Sequence, residues 1–316
     1  MNIVFMGTPH FSVPILKALH KSYTISLVVT QPDKPVGRKR TLTKSPVKAT
    51  AESLNIPVFQ PKNIKKDFTP ILEADPDIII TAAYGQIIPE ILLTTPKYKA
   101  INVHASLLPK LRGGAPIQRA IEQRHDETGV TIMYMEKGMD TGDIIAKKSL
   151  VISKTDTSET LFNALSKLGT DLLMDTLPLI FKGTHKRYKQ NNQDATYAYN
   201  IKREEERLDF SKAAAILEAK IRAYYPEPNT YTITQGKKLK VIKARLHHCE
   251  NFAKNHQEDP NGKVIKHVDD GFAVKCETGI LVITYVQLAG KKAMPASDFL
   301  NGAGKQLVSV GSVLGV

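Results

Sequence analysis

Asn102 and His104 stand two residues apart at the end of the apolar run KAINVH, just ahead of ASLLPKLRGGAPIQ. On a strand, residues i and i+2 share a face, so the spacing presents an amide beside an imidazole where an apolar strand ends. That pairing suits a reaction that develops an oxyanion and moves a proton. An asparagine amide donates to the oxyanion, and an imidazole exchanges a proton near neutral pH. The plain structural alternative is a strand-end histidine satisfied by a backbone carbonyl. A third group lies in MEKGMDTGD, where Asp140 occupies a Gly-flanked turn. A carboxylate there would orient the imidazole, stabilise its charged form or position a water. Aspartate is also an ordinary turn residue, and Asp143 competes with it three positions later.

Other motifs are weaker. Gly7-Thr8-Pro9 follows the first strand candidate, but the chain has neither GxGxxG nor GxxxxGK[ST], so no dinucleotide or NTP site is indicated. In YGQIIP (84–89), Gly85 permits close backbone approach to a flat ligand or simply makes a turn. No His, Cys and carboxylate spacing matches a metal site. Cys249 and Cys276 form no CxxC pair or disulfide framework and are expected as buried or half-buried thiols.

The elements that must position Asn102 and His104 are readable from periodicity. NIVFMG, TISLVVT, DIIITAA and KAINVH are strand candidates rich in Ile and Val. Segments near 11–21, 46–54, 86–93 and 115–123 read as helices, the second introduced by Ser45-Pro46. Continuously apolar strands separated by helices imply a parallel sheet covered on both faces, with ligands at the carboxyl ends of the strands. GVTIMYME and DIIAKKSLVI alternate more and suggest an antiparallel addition. A long helix follows, with Thr157 as its cap and Leu161, Leu165, Leu168 and Leu172 on one face.

The texture changes after residue 184, where HKRYKQNNQDATYAYNIKREEERLDF is polar and poor in aliphatics. The expected organisation is a catalytic domain over 1–184, a linker over 185–207 and a smaller domain over 208–316. The last region has one helix candidate (211–223) and short alternating strands, TYTIT, LKVIKARL, GKVIKHV, GFAVKC and GILVITYVQL. That pattern predicts an antiparallel β-barrel of the oligonucleotide-binding kind.

The 316 residues are 42% hydrophobic, with Lys plus Arg exceeding Asp plus Glu by 44 to 31. No apolar run reaches the roughly 18 residues of a membrane helix, and MNIVFMGTPHF lacks the basic start of a secretory signal. A cytoplasmic protein is expected, and with no long apolar stripe to cover, a monomer. The net charge of +13 is clustered. GRKRTLTKSPVK (37–48) and GKKLKVIKARLHH (236–248) each carry five Lys or Arg and no acid, which favours a polyanionic partner.

With these pieces in place, INVHASLLPKLRGGAPIQRAI closely resembles the signature of the folate-dependent formyltransferases, which move a formyl group from 10-formyltetrahydrofolate to an amine. MYMEKGMDTGD resembles that family's second signature, which carries its catalytic aspartate. QPDKPVGRKRTLTKSPVK and QLAGKKAMPASDFLNG resemble the branch of the family whose acceptor is methionine on initiator tRNA. The similarity covers nearly the whole chain. It implies a Rossmann-like, mostly parallel twisted sheet followed by the C-terminal barrel, with Asn102, His104 and Asp140 as the catalytic residues and no metal. It implies tetrahydrofolate binding by Ser106, Leu107, Leu108 and Pro109 and by Tyr84, Gly85, Gln86, Ile87 and Ile88. It further implies that Arg38, Lys39, Arg40 and Lys44 approach the tRNA acceptor end, with Lys237, Lys238, Lys291 and Lys292 as C-terminal contacts. Leu111 stands where the family often has Trp, and YYPEPNTY, with Glu227, replaces a Trp-containing turn.

Three other functions share some of these features. A formyltransferase of the same fold with a small acceptor is expected to stop near residue 200 and lack the basic loop if the acceptor is a purine-pathway ribonucleotide, or to be fused to a further domain if it is a nucleotide-linked amino sugar. A tRNA-binding protein with vestigial catalytic residues is disfavoured by the intact trio. A hydrolase of formyltetrahydrofolate would have no use for Arg38 to Arg40.

Overall fold

A computed structural model describes residues 1–37, 40–247 and 256–315. The chain divides into two compact units. The first comprises residues 1–116, 127–151 and 161–200, and the second 117–126, 152–160 and 201–316.

The first unit is built on seven strands: β1 (Asn2–Gly7), β2 (Thr24–Val29), β5 (Val58–Phe59), β6 (Ile78–Ala82), β7 (Ala100–His104), β8 (Glu127–Tyr134) and β9 (Ile144–Val151). A short hairpin, β3 (Lys34–Val36) and β4 (Thr41–Thr43), pairs only with itself. The order across the sheet is β5-β2-β1-β6-β7-β8-β9. Every pair from β5 to β7 is parallel, whereas β8 and β9 are antiparallel additions. The α/β reading of the sequence therefore holds, including the antiparallel edge. From β1 the chain steps to β2 on one side and later to β6 on the other. The carboxyl ends of β1 and β6 thus flank a topological switch point, where open α/β sheets bind ligands.

Helices α1 (Ser12–Ser22), α2 (Pro46–Ser53), α3 (Thr69–Glu73) and α4 (Glu90–Thr94) follow the strands of this unit, whereas all of α5 (Pro116–Glu122) after its first residue belongs to the second. Ser45 caps α2 by accepting from the Lys48 amide at 3.0 Å, with Pro46 in the first turn. The helix expected near 86–93 is confined to Glu90–Thr94. Gly85 has φ +90, Gln86 is turned aside to accept the Ile64 amide, and Ile88 precedes a proline, which disfavours helical backbone.

The long helix α6 (Ser158–Lys182) begins after Thr157, whose hydroxyl accepts the amide of Thr160 in the first turn while the Thr160 hydroxyl accepts the Thr157 amide. Its buried stripe runs through Leu161, Leu165, Leu173, Leu177 and Ile180, while Leu168 and Leu172 are only half-buried. Gly169 explains the offset. A Cβ there would lie 2.9 Å from Val103 Cγ1 on β7, so the helix approaches the sheet through its glycine rather than through Leu168. Val103 thus faces α6, and Asn102 and His104 face the opposite side by the strand's period of two.

The second unit carries α7 (Ala214–Ala223), β10 (Thr230–Thr234), β11 (Lys237–Leu246), β12 (Val264–Val268), β13 (Gly271–Lys275), β14 (Ile280–Leu288) and β15 (Met294–Pro295). Two short helices follow, α8 (Ala296–Leu300) and α9 (Gly304–Leu307). The strands are antiparallel in the order β10-β11-β14-β13-β12, with β15 on β14. The chain end closes this sheet: the Leu314 amide donates to Gly262 O, the Val264 amide to Ser312 O and the Gly315 amide to Ile233 O on β10. That closure produces the expected barrel. Its interior holds Leu217 and Ile221 of α7 against Leu239, Val241, Phe272 and Ile283. Cys276 lies in this core, and burial pushes its thiol up to about 12. Cys249 lies outside the described residues.

Candidate active site

At the end of β7 the trio is brought together. Asn102 Oδ1 accepts from the Thr81 hydroxyl of neighbouring β6 at 2.7 Å. This bond orients the amide and leaves its nitrogen as a donor. His104 is buried; its Nε2 donates to the Leu111 carbonyl at 3.1 Å, and its Nδ1 lies 3.7 Å from Asp140 Oδ2. One ring nitrogen therefore faces a carbonyl and the other a carboxylate, and both can donate only when the ring is imidazolium. The same Asp140 oxygen accepts the Gly113 amide at 2.8 Å.

The competition between the two aspartates is resolved by geometry. Asp143 is occupied by Arg187, 2.8 Å away, whose guanidinium also stacks over Tyr134. Asp140 alone faces the imidazole. It does so from a left-handed backbone, φ 53, a conformation aspartate tolerates better than most residues and which here is pinned from outside the turn.

What holds it is a strap over residues 184–200, which sequence composition had suggested to be a surface connection. Gln190 Nε2 donates to the carbonyls of Asp140 and Gly142, both at 2.8 Å. Its Oε1 accepts two bonds from Arg112, at 3.1 and 2.7 Å. Arg112 is 1% exposed and also donates to Asn192 Oδ1. Beyond Gln190 the strap runs parallel to the loop after His104. The Arg112 amide donates to Thr196 O, the Ala198 amide to Arg112 O and the Ala115 amide to Ala198 O, at 2.7–2.9 Å. Gly113 permits this approach, since a Cβ there would lie 2.8 Å from Ala198 O. The RGGAP string signalled Arg112 and Gly113 without showing their use. Gln190, in a run of polar residues, gave no signal.

The residues expected to bind folate form two anchored segments. Thr131 on β8 accepts the Leu108 amide and donates to the Ser106 carbonyl, while the Ser106 hydroxyl bonds to Lys110 O. Ser106 and Leu108 are thus buried supports, with Leu107 and Pro109 half-exposed between them. The 84–88 loop is fastened by Thr8, whose hydroxyl donates to Tyr84 O, and by Gln31, whose amide donates to the same carbonyl. That is the use of the Gly7-Thr8-Pro9 string. Gln86 bonds to Ile64 N and Pro61 O, and Ile88 is buried. Ile87 is exposed, and the Tyr84 hydroxyl is buried without a protein partner. Burial pushes that hydroxyl up to about 12. An apolar side chain on the surface, a glycine at φ +90 with only the Gln31 amide near its missing Cβ and an orphan hydroxyl, all beside the switch point, suit a flat heterocycle with polar edges.

Of the basic residues, Arg38 and Lys39 lie outside the described residues. Arg40 is exposed in the β3–β4 turn, and Lys44, also exposed, pairs with Glu52 at 2.7 Å. In the second unit the Ala289 amide donates to Lys238 O, next to the Leu239↔Leu288 register pair. This brings Lys237, Lys238, Lys291 and Lys292 to one end of the β11–β14 pair. Lys238 sits 3.6 Å over the Tyr231 ring and 3.7 Å from Glu206, whereas the other three are exposed. Among the described residues no three His, Cys, Asp or Glu side chains converge as a metal site would require.

Residues 1–177 match the family described as formyl transferase, and residues 200–304 match its C-terminal domain. A methionyl-tRNA formyltransferase of Macrococcus caseolyticus is 46% identical over 98% of this chain and 98% of its own. That of Geobacillus sp. (strain WCH70) is 49% identical, over 100% and 98%. The chain belongs to the methionyl-tRNA formyltransferase family. A solved structure of a family member from Clostridium thermocellum shares the fold, with a TM-score of 0.58 and 20% identity over 79% of this chain and 95% of that one. Leu111 and Glu227 therefore stand within a family member that keeps the trio, and Leu111 is buried with its carbonyl on His104.

Proposed function

We propose that Asn102, His104 and Asp140 carry out the family's reaction in this chain, which transfers the formyl group of 10-formyltetrahydrofolate to the α-amino group of methionine on initiator tRNA. The observation that carries the assignment is the convergence at the end of β7 of an oriented amide, a buried imidazole and a carboxylate facing its Nδ1.

An α-amino group titrates near 7.7–8.0, so only roughly 10–20% of it is the free amine at pH 7 and the rest must lose a proton before it can attack. As the nitrogen adds to the formyl carbon, charge develops on the formyl oxygen. Asn102, held by Thr81, donates to that oxygen; the nitrogen that has added passes its surplus proton, by way of His104, to the folate nitrogen, so that the bond between that nitrogen and the formyl carbon breaks and tetrahydrofolate leaves as the carbonyl re-forms. Asp140 stabilises the charged ring. Asn102 is already oriented by its Thr81 bond; His104 holds the Leu111 carbonyl through Nε2 and faces Asp140 through Nδ1, so one of these two contacts opens as the ring exchanges its proton. Gln190 and Arg112 are positioning residues, acting through the Asp140 turn.

The loops at 84–88 and 106–109 are assigned to the formyl donor. Arg38, Lys39, Arg40 and Lys44, together with the lysine cluster of the second unit, are assigned to tRNA phosphates, so affinity for tRNA should fall steeply with salt. The first unit is then the catalytic domain and the barrel a tRNA-binding one. An enzyme of translation initiation belongs in the cytoplasm, and a monomer suffices because the trio comes from one chain.

The test is formyl transfer to charged initiator tRNA, charged elongator tRNA and free methionine. Initiator tRNA alone should be formylated. Asn102→Ala, His104→Ala and Asp140→Ala should each lower kcat, the first by roughly 10²–10³. Three variants within threefold of wild type would overturn the assignment.

A further inference from the structure

Along the strap, Tyr197 and Tyr199 flank Ala198. Ala198 is buried against the Arg112–Ala115 segment, and by the period of an extended chain both tyrosines face the other way. They are 47% and 61% exposed. Their rings are parallel within 4°, with centroids 5.6 Å apart, so together they present a stacked aromatic surface. Two large rings exposed side by side on the strap form a surface patch of the kind that marks an interaction site.

The position of the pair indicates which partner. The strap lies one ladder spacing, about 4.8 Å, from the loop whose Leu111 carbonyl holds His104 and whose Gly113 amide holds Asp140. The same unit carries Lys186, Arg187 and Lys189 on the surface of the strap's first part, and Lys110 is exposed at the start of the facing loop. Exposed rings with cations beside them are how proteins hold single-stranded nucleic acid: bases stack on the rings while the cations track the backbone. The amino acid of a charged tRNA is attached to its terminal nucleotide. Delivering that amine to Asn102 and His104 brings the unpaired 3′ nucleotides alongside this loop.

We propose that Tyr197 and Tyr199 form a stacking platform for the unpaired 3′-terminal nucleotides of the charged tRNA. The proposal rests on the reading of the trio as the formyl-transfer centre. The platform acts in binding and alignment, and the hydroxyls are not required for it.

The test uses the full chain with Tyr197→Ala, Tyr199→Ala and the corresponding Phe variants. Each Ala variant should raise KM for charged tRNA roughly 5- to 100-fold, the range for loss of one stacked base. KM for the formyl donor should stay within twofold, and the Phe variants should return the tRNA KM to within threefold of wild type. A second readout needs no turnover: tRNA carrying 2-aminopurine as its last unpaired base should be quenched by wild type and the Phe variants, and not by the double Ala variant. The proposal is overturned if the Ala variants leave tRNA KM within twofold, or if Phe is as damaging as Ala. It is equally overturned if donor KM and tRNA KM rise together with a lowered Tm, because the rings would then only support the strap. Failure of the trio reading looks different: Asn102→Ala and His104→Ala would turn over normally, while the quenching contrast would be unchanged.

Discussion

Replacing Gln190 separates a stability effect from a rate effect. Its Oε1 takes two bonds from the buried Arg112, and its Nε2 gives two to the carbonyls of Asp140 and Gly142. Gln190→Ala removes all four. On the Arg112 side, bonds involving a charged group contribute about 1.5–3 kcal/mol each; with water entering the vacated space, a net loss of about 3 kcal/mol is expected. In a unit of this size that lowers Tm by roughly 6–12 °C. On the Asp140 side, two neutral bonds at about 0.5–1.5 kcal/mol each hold a left-handed residue in place. Their loss lets the turn relax, and the fraction with Asp140 facing His104 falls roughly 5- to 150-fold, which is the expected loss in kcat. Gln190→Glu divides the two halves. A carboxylate satisfies Arg112 more strongly than an amide but has nothing to donate to the two carbonyls. Calorimetry should show Tm returning towards wild type, while formyl transfer at saturating substrates should show kcat still low. If kcat of both variants stayed within twofold of wild type, Gln190 would have no positioning role. If Glu restored kcat together with Tm, the effect would run through Arg112 alone and the tether to the Asp140 turn would be irrelevant.

Three further outcomes are expected. Gly113→Ala combines φ +121 with a Cβ 2.8 Å from Ala198 O, so urea unfolding should show a loss of about 2 kcal/mol or more, and kcat should fall as the Asp140 bond is disturbed. Asp143→Ala removes a partner of Arg187, whose side chain is 42% exposed; stability should change by no more than about 1 kcal/mol and kcat by less than threefold, in contrast to Asp140→Ala. Tyr84→Phe removes a buried hydroxyl without a protein partner and should stabilise by about 1 kcal/mol, raising donor KM if that hydroxyl contacts the donor. Because the folded-state value is raised to about 12 from about 10 in the unfolded chain, the wild type loses stability as pH rises through that interval and Tyr84→Phe does not. The gap in Tm between them should therefore widen from pH 10 to 12.

The parts of the fold that were legible in the sequence are those with a strong period. Strands β1, β2, β6 and β7, the antiparallel β8 and β9 and the barrel strands β10 to β14 follow from alternation or continuous apolar runs, and the cap of α2 from Ser45-Pro46, whereas β5 and β15, of two residues each, and the exposed β3–β4 hairpin carry no such run. The i, i+2 relation of Asn102 and His104 is a property of any strand, so their shared face could be read directly. The choice between Asp140 and Asp143 was not legible, because it depends on Arg187, 44 residues further on. Gln190 was hidden for the same reason: a polar side chain in a polar stretch looks solvated until its partners arrive from elsewhere. The stripe of α6 was misplaced by one position in its second half, since hydrophobicity marks Leu168 and Leu172 while close packing on Val103 selects Gly169.

The lacing of residues 184–200 over the catalytic loop also sets an order in time. All strands of the first sheet are present once residue 151 has been made, yet the turn bearing Asp140 lacks its tether until residue 190 exists. At roughly 5–20 residues per second of synthesis, the nascent chain spends on the order of 2–8 s with the sheet's sequence complete and Asp140 untethered. A growing chain of this enzyme therefore acquires its shape before its competence.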